Sequence, residues 1–176
     1  MAELMQRWPR PAAPRPIVII GAGGIVRDAH LPTYRRLGFP VTGLYDVRID
    51  VARATAETFG VDTVFPTLAA ATTDARTVYD LAVPGDQILG ILAQLPRGAA
   101  VLMQKPMGPD LAAATAIRRR CRERALTAAV NFQLRFAPNV LAVRDLIASG
   151  TLGELVDVEV RIVIDQPWHL WTFLRT

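Results

Sequence analysis

The chain has 176 residues, of which 51% are apolar, a formal net charge of +4 and one cysteine, Cys121. A lone cysteine excludes an internal disulfide and fits a reducing, cytoplasmic setting, and no run of about 18 consecutive apolar residues marks a membrane span. A pI near 10.0 raises the question of nucleic acid, but the densest basic run, Arg118–Arg124, closes a predicted helix, where arginines suit the negative end of the dipole. A solvated helix end accounts for it, and no nucleic-acid partner is expected.

Residues 1–16 contain four prolines and no apolar core, so they read as a disordered arm rather than a secretory signal. From Ile17 onward short apolar runs alternate with helical stretches. Strands are predicted at 17–20, 41–45, 63–65, 77–83, 99–104 and 126–130. Helices are predicted up to about Leu37 and over 49–59, 84–95 and 109–124. That alternation implies right-handed crossovers and a parallel sheet, so 17–130 reads as one doubly wound α/β domain. The high apolar content fits such a sheet, buried on both faces.

The pattern changes after Val130. A helix is predicted over 138–148, and then "LVDVEVRIVI", 155–164, alternates valines with charged residues. Such alternation marks a half-exposed, usually antiparallel, strand. Residues 131–176 therefore read as the beginning of a second, α+β domain. A single strand cannot form a stable sheet, so the expectation is that the sequence stops inside that domain or that a partner supplies strands.

"IVIIGAGGIVRDAH" sets Gly21 and Gly23 directly after the first strand. The first glycine permits a tight turn, and the second lets a dinucleotide pyrophosphate approach the backbone. A tight strand-to-helix turn with no ligand is the plainer reading. The third fingerprint position is Val26, which predicts a helix set farther from the strand. Asp46 follows the second strand, where an acid hydrogen-bonds the adenine ribose and repels a 2′-phosphate; it also suits a cap for the next helix. On the ribose reading NAD is favoured, with NADP possible because Arg48 lies close by.

Of the 20 basic residues only Lys105 is a lysine. It ends a predicted strand, and ligands of open parallel sheets bind outside the carboxyl ends of the strands. A lysine there can hold a hydroxyl and exchange its proton, which arginine cannot. The alternative is an ordinary surface lysine. Asn131, Gln133 and Arg135 leave the last strand on the same side, and alternate residues of an extended segment share a face. They are candidates to bind substrate hydroxyls, although Arg135 equally suits a tie between domains. His169, in "PWHLWTF", suits a sugar pocket or a buried aromatic patch. His30 suits packing or capping better than acid–base work. No metal site is expected.

In order and spacing, "GAGGI…HLP", "YD", "AVP", "QKPMG", "NFQLRFAP" and "SGTLGELVDV" resemble the glucose–fructose oxidoreductase, inositol dehydrogenase and rhizopine-catabolism family. The match runs from about Ile17 to at least Ile164. The resemblance implies an N-terminal Rossmann domain, a C-terminal domain with a large, mostly antiparallel sheet, and NAD(P)-dependent oxidation of a sugar, sugar acid or cyclitol hydroxyl. It implies that Lys105 matches the family's catalytic lysine. It also implies that Gly21, Gly23, Gly24, Ile25, Asp46, Val83, Pro84 and Lys105 line the cofactor cleft. The expected partners are a small polyol substrate and, through the C-terminal sheet, further copies of the chain. Two departures stand out. Gln104 replaces the glutamate usual before the lysine, and nothing corresponds to the family's catalytic histidine. The alternative is therefore a dinucleotide-binding module, or a fragment, without turnover.

Overall fold

The computed structural model describes residues 4–161. They fall into two compact units, Pro9–Arg135 and the described parts of Met1–Trp8 and Phe136–Thr176. The larger unit holds five parallel strands: β1 (Ile17–Ile20), β2 (Val41–Tyr45), β3 (Val78–Leu81), β4 (Ala100–Met103) and β5 (Thr127–Val130). Their order is β2-β1-β3-β4-β5. β1 pairs with β2 on one side and β3 on the other, so the order reverses between β1 and β3.

Every residue of β1 is buried, because both faces of the sheet are covered. One face sets Val18, Ile20, Tyr79, Leu81, Val101 and Met103 against α4 (Ile88–Leu92), Leu95 and α5 (Leu111–Glu123). The other sets Ile17, Ile19 and Leu44 against Val26, Leu31 and Ala56. Those residues come from a π-helical turn (Val26–His30), α1 (Leu31–Leu37) and α2 (Ile49–Phe59). Local chemistry explains where the helices end. α2 stops at Gly60, whose left-handed φ of 68° suits glycine. Asp110 opens α5 by accepting a hydrogen bond from the Ala113 N–H at 2.8 Å.

Several predicted elements differ from those observed. The helix expected over 84–95 shrinks to α4, with a turn in which the Gln87 N–H bonds to the Pro84 carbonyl at 3.0 Å. The weak strand at 63–65 is a single parallel bridge, Leu44 to Val64. A short helix, α3 (Leu68–Ala71), was not foreseen; Thr67 caps it by accepting from the Ala70 N–H at 3.1 Å. Val26 packs in the cluster with Ile17, Ile19 and Leu44. It is wholly buried, in a turn widened to π geometry.

In the smaller unit α6 (Pro138–Ala148) has the predicted bounds. The arm carries no regular secondary structure from Leu4 to Pro16, but it has partners. The Met5 N–H donates to Asp145 at 3.1 Å, Trp8 meets Phe136 edge-on, and the Arg144 guanidinium lies 5.4 Å above the Trp8 ring. Residues 155–161 are exposed and form no strand. Their alternation suits a half-buried strand, but a strand needs a neighbour, and no described residue pairs with them. Residues 162–164 of that predicted strand, and the second domain's antiparallel sheet, lie outside the described residues. Among the described residues no helix is long and apolar enough to cross a membrane, and no three His, Cys, Asp or Glu side chains are grouped to hold a metal.

Candidate functional site

A cleft of about 520 Å³ opens at the carboxyl ends of β1 and β3. This is the point where the strand order reverses, which is where open α/β sheets bind ligands. Gly21 and Gly23 form one wall, Asp46 and Arg48 the rim, and Val83, Pro84 and Gln87 the opposite wall.

The two glycines are needed for different reasons. Gly21 has φ 100°, and a Cβ there would fall on the Ala82 carbonyl oxygen. Neighbouring backbone therefore fixes it. A Cβ on Gly23 would meet no protein atom within 4 Å. No protein contact requires glycine at 23, and the open space on that side suits a ligand brought close to the backbone.

Asp46 stands one residue past β2. Its Oδ2 accepts from the Ala22 N–H at 2.8 Å, and its Oδ1 accepts from the Arg48 N–H at 2.9 Å. The carboxylate is thereby fixed at the rim beside the glycine loop, with lone pairs left for a diol. It does not cap α2, whose N-cap is Arg48. The Arg48 Nε lies 3.9 Å from Asp46 Oδ1, and two-thirds of the Arg48 side chain is exposed.

Lys105 is exposed and does not line the cleft, but its loop is fastened to the cleft wall. The Gln104 N–H donates to the Leu81 carbonyl at 2.8 Å, and the Gln104 side-chain oxygen accepts from the Lys105 N–H at 3.0 Å. The Lys105–Pro106 peptide is cis. Gly108 packs directly on Gly85, the residue after Pro84: a Cβ on Gly85 would lie 3.1 Å from the Gly108 carbonyl carbon. The loops after β3 and β4 thus touch backbone to backbone.

Gly24 and Ile25 belong to the glycine loop but are not among the residues that line the cleft. Asn131 follows β5, its N–H donating to the Met103 carbonyl at 2.8 Å, so it emerges beside the strand that carries Lys105. Gln133 and Arg135 lie in a 3₁₀ turn, Gln133–Phe136. They therefore do not share a face of an extended segment: among the described residues no strand flanks the chain beyond β5, and local i→i+3 bonding takes over. His169 lies outside the described residues. Sequence reasoning missed Tyr45, Val47, Leu68 and Gln87 of the lining. Only their position just after strands, and the Thr67 cap before Leu68, could have signalled them.

His30 is buried, with Nδ1 2.7 Å from Asp80 Oδ2. It makes no side-chain cap to α1, so packing rather than capping describes it. Asp80 is fully buried in β3 and also accepts from the Tyr34 hydroxyl at 2.9 Å. Burial, and then the Asp80 charge, push the Tyr34 hydroxyl far above the ordinary tyrosine range.

Residues 15–132 match the GFO_IDH_MocA family, described as an oxidoreductase family with an NAD-binding Rossmann fold. The chain belongs to that family. It is 32% identical over 74 residues to the dehydrogenase aclE of Aspergillus oryzae, a stretch covering 42% of this chain and 20% of the relative. Among solved structures it is similar to a super-repressor mutant of Gal80p from Saccharomyces cerevisiae. The TM-score is 0.70 at 22% identity, over 81% of this chain and 40% of that one. It is also similar to KijD10, a 3-ketoreductase from Actinomadura kijaniata solved with NADP. There the TM-score is 0.64 at 26% identity, over 81% of this chain and 44% of that one. The chain therefore spans less than half the length of these relatives. The domain around the cleft is an NAD(P)-binding Rossmann domain, and the glycine loop, the open space at Gly23 and the fixed Asp46 carboxylate suit a dinucleotide.

Proposed function

We propose that the chain is the cofactor-binding part of an NAD(P)-dependent oxidoreductase acting on a hydroxyl of a sugar, sugar acid or cyclitol. The observation that carries this reading is the Lys105 loop, packed through Gly108 onto Gly85, the residue after Pro84 of the cleft wall. A dinucleotide held by Gly21, Gly23 and Asp46 would supply a hydride acceptor for the carbinol carbon. Lys105 holds the hydroxyl being oxidised and takes part in removing its proton, leaving a carbonyl. Asn131, which follows β5, on this reading hydrogen-bonds a neighbouring hydroxyl. On this reading Gly21 and Gly23 admit the pyrophosphate, and Asp46 accepts from the adenine ribose and favours NAD, with Arg48 softening that preference. Kinship with 3-ketoreductase and dehydrogenase relatives supports ketone–alcohol chemistry.

Lys105→Met tests the central role. Dinucleotide affinity should hold within about twofold, while turnover of the responsive polyol falls by about 10²–10⁴. Lys105→Arg should be nearly as damaging, because arginine keeps the charge but not the exchangeable proton. A loss under tenfold for Met would make Lys105 an ordinary strand-end residue. Calorimetry with NAD and NADP tests the rim: tighter NADP would mean that Arg48, not Asp46, governs the ribose.

A second reading is a dinucleotide-binding module without turnover. It is favoured by one observation. The histidine among the described residues, His30, is engaged by Asp80 rather than placed at the cleft. Tight dinucleotide binding, with no hydride transfer to any member of a sugar and cyclitol panel, would decide for it.

A further inference from the structure

Pro32 gives a physical reason for the widened turn that opens the first helix. A proline within a helix has no N–H to donate, and its ring crowds the carbonyl four residues back, here Asp28. The chain answers with a π turn in which the Leu31 N–H bonds to the Val26 carbonyl. π turns insert one extra residue and occur often at functional sites. The insertion rotates whatever precedes it, so the direction of the glycine loop depends on this turn keeping its form.

Three side chains hold the turn. His30 is its last residue, and its Nδ1 meets Asp80 Oδ2 at 2.7 Å. Tyr34, one helical turn on, donates its hydroxyl to the same oxygen at 2.9 Å. The raised Tyr34 pKa keeps that hydroxyl a donor. Asp80 belongs to β3, and the residues just past β3, Ala82, Val83 and Pro84, form the far wall of the cleft. The network thus ties the helix that follows the glycine loop to the strand across the switch point.

The network is also costly. His30 Nε2 and Asp80 Oδ1 are buried and have no hydrogen-bond partner among the described residues. Three apolar side chains of similar shape would fill the same space without that cost. Local rules of stability are broken in this way mostly where function requires it.

We propose that His30, Tyr34 and Asp80 are positioning residues for the dinucleotide pyrophosphate: they pin the π turn to β3 and so set the aim of the backbone amides that follow Gly21. The test uses the 176-residue chain and compares ADP-ribose, which carries the pyrophosphate, with adenosine, which does not. Affinities are measured by calorimetry at a temperature where circular dichroism shows each variant folded. Asp80→Asn and His30→Leu should weaken ADP-ribose by about fivefold or more and leave adenosine unchanged. Amide hydrogen exchange over residues 22–27 should quicken in both. Tyr34→Phe keeps the ring and removes one hydrogen bond. It should show the same pattern with a smaller loss, and it keeps the test open if the other variants fold poorly. ADP-ribose affinity that is unchanged, or that falls in step with adenosine, would overturn the proposal and leave the network a packing feature. No ADP-ribose binding by the unaltered chain would instead overturn the cofactor assignment itself.

Discussion

On the sheet face covered by α4 and α5, the buried strand and helix side chains are apolar apart from the Tyr79 hydroxyl and the Cys121 thiol. The Tyr79 hydroxyl donates to the Asp74 carbonyl at 2.9 Å. On the face covered by the π turn, α1 and α2, the same strands bury His30, Thr55 and Asp80 among aliphatic neighbours. Three polar atoms there, His30 Nε2, Thr55 Oγ1 and Asp80 Oδ1, have no partner among the described residues. One face is built to hold the fold together. The other gives up some of that stability beside the loop that meets the cofactor.

The largest expected break lies on the apolar face. Leu92 is fully buried in α4, and Leu92→Ala should lose about 2–5 kcal/mol in denaturant unfolding, from lost transfer energy plus a cavity. A loss below about 1 kcal/mol would show that this face collapses around a void and is less tightly packed than described. The opposite sign is expected across the sheet. Thr55→Val replaces an unpartnered buried hydroxyl with a methyl of the same shape and should raise stability by about 1–3 kcal/mol. A destabilised Val variant would mean that the hydroxyl has a partner and the two faces differ less than they do here.

Alkaline pH sharpens the contrast further. Burial and Asp80 raise the folded-state pKa of Tyr34 above its unfolded value of about 10. For a group with a raised folded pKa, the associated stability is fully present below the unfolded pKa and is lost as pH climbs above it. Unfolding measured from pH 8 to 11 should therefore show stability falling beyond about pH 10, and Tyr34→Phe should flatten that fall. An unchanged slope would assign the alkaline loss to Tyr79 and Cys121, whose pKa values burial also raises. The smallest effect belongs to the solvated side of α5. Glu123 pairs with half-buried Arg120 at 3.2 Å and exposed Arg119 at 3.7 Å, and is itself exposed. Glu123→Gln should change stability by no more than about 0.5 kcal/mol, and a larger loss would make that arginine run part of the fold's support.

Much of the fold was legible because its cues are local. β2, α2 and α6 have the predicted bounds, since glycine at 60 and proline at 138 punctuate the chain without help from distant residues. The expected helix over 84–95 is cut to Ile88–Leu92, and its first residues form a turn in which Gly85 packs on Gly108, from a loop more than twenty residues away. The extended segment at 131–135 failed because no strand lies beside it. At the cleft, Gly21, Gly23 and Asp46 stood out by type and spacing. Gln87 did not, because nothing in its own surroundings distinguishes it from other helix-end residues.

The sequence by itself determined the parallel α/β architecture, the glycine loop, the acid after the second strand and the singular position of Lys105. These follow from periodicity, from backbone freedom that only glycine has, and from residue chemistry that no other side chain supplies. The tertiary structure alone decided that Asp46 is held by the Ala22 amide, that the Lys105 loop rests on Gly85 next to Pro84 of the cleft wall, and that His30 and Tyr34 converge on Asp80. Asp80 lies fifty residues from His30 and Asp46 twenty-four from Ala22, so these contacts join segments far apart in the chain. Hydrogen bonds and close backbone approaches of that range exist only once the sheet order has brought β1, β2, β3 and β4 side by side.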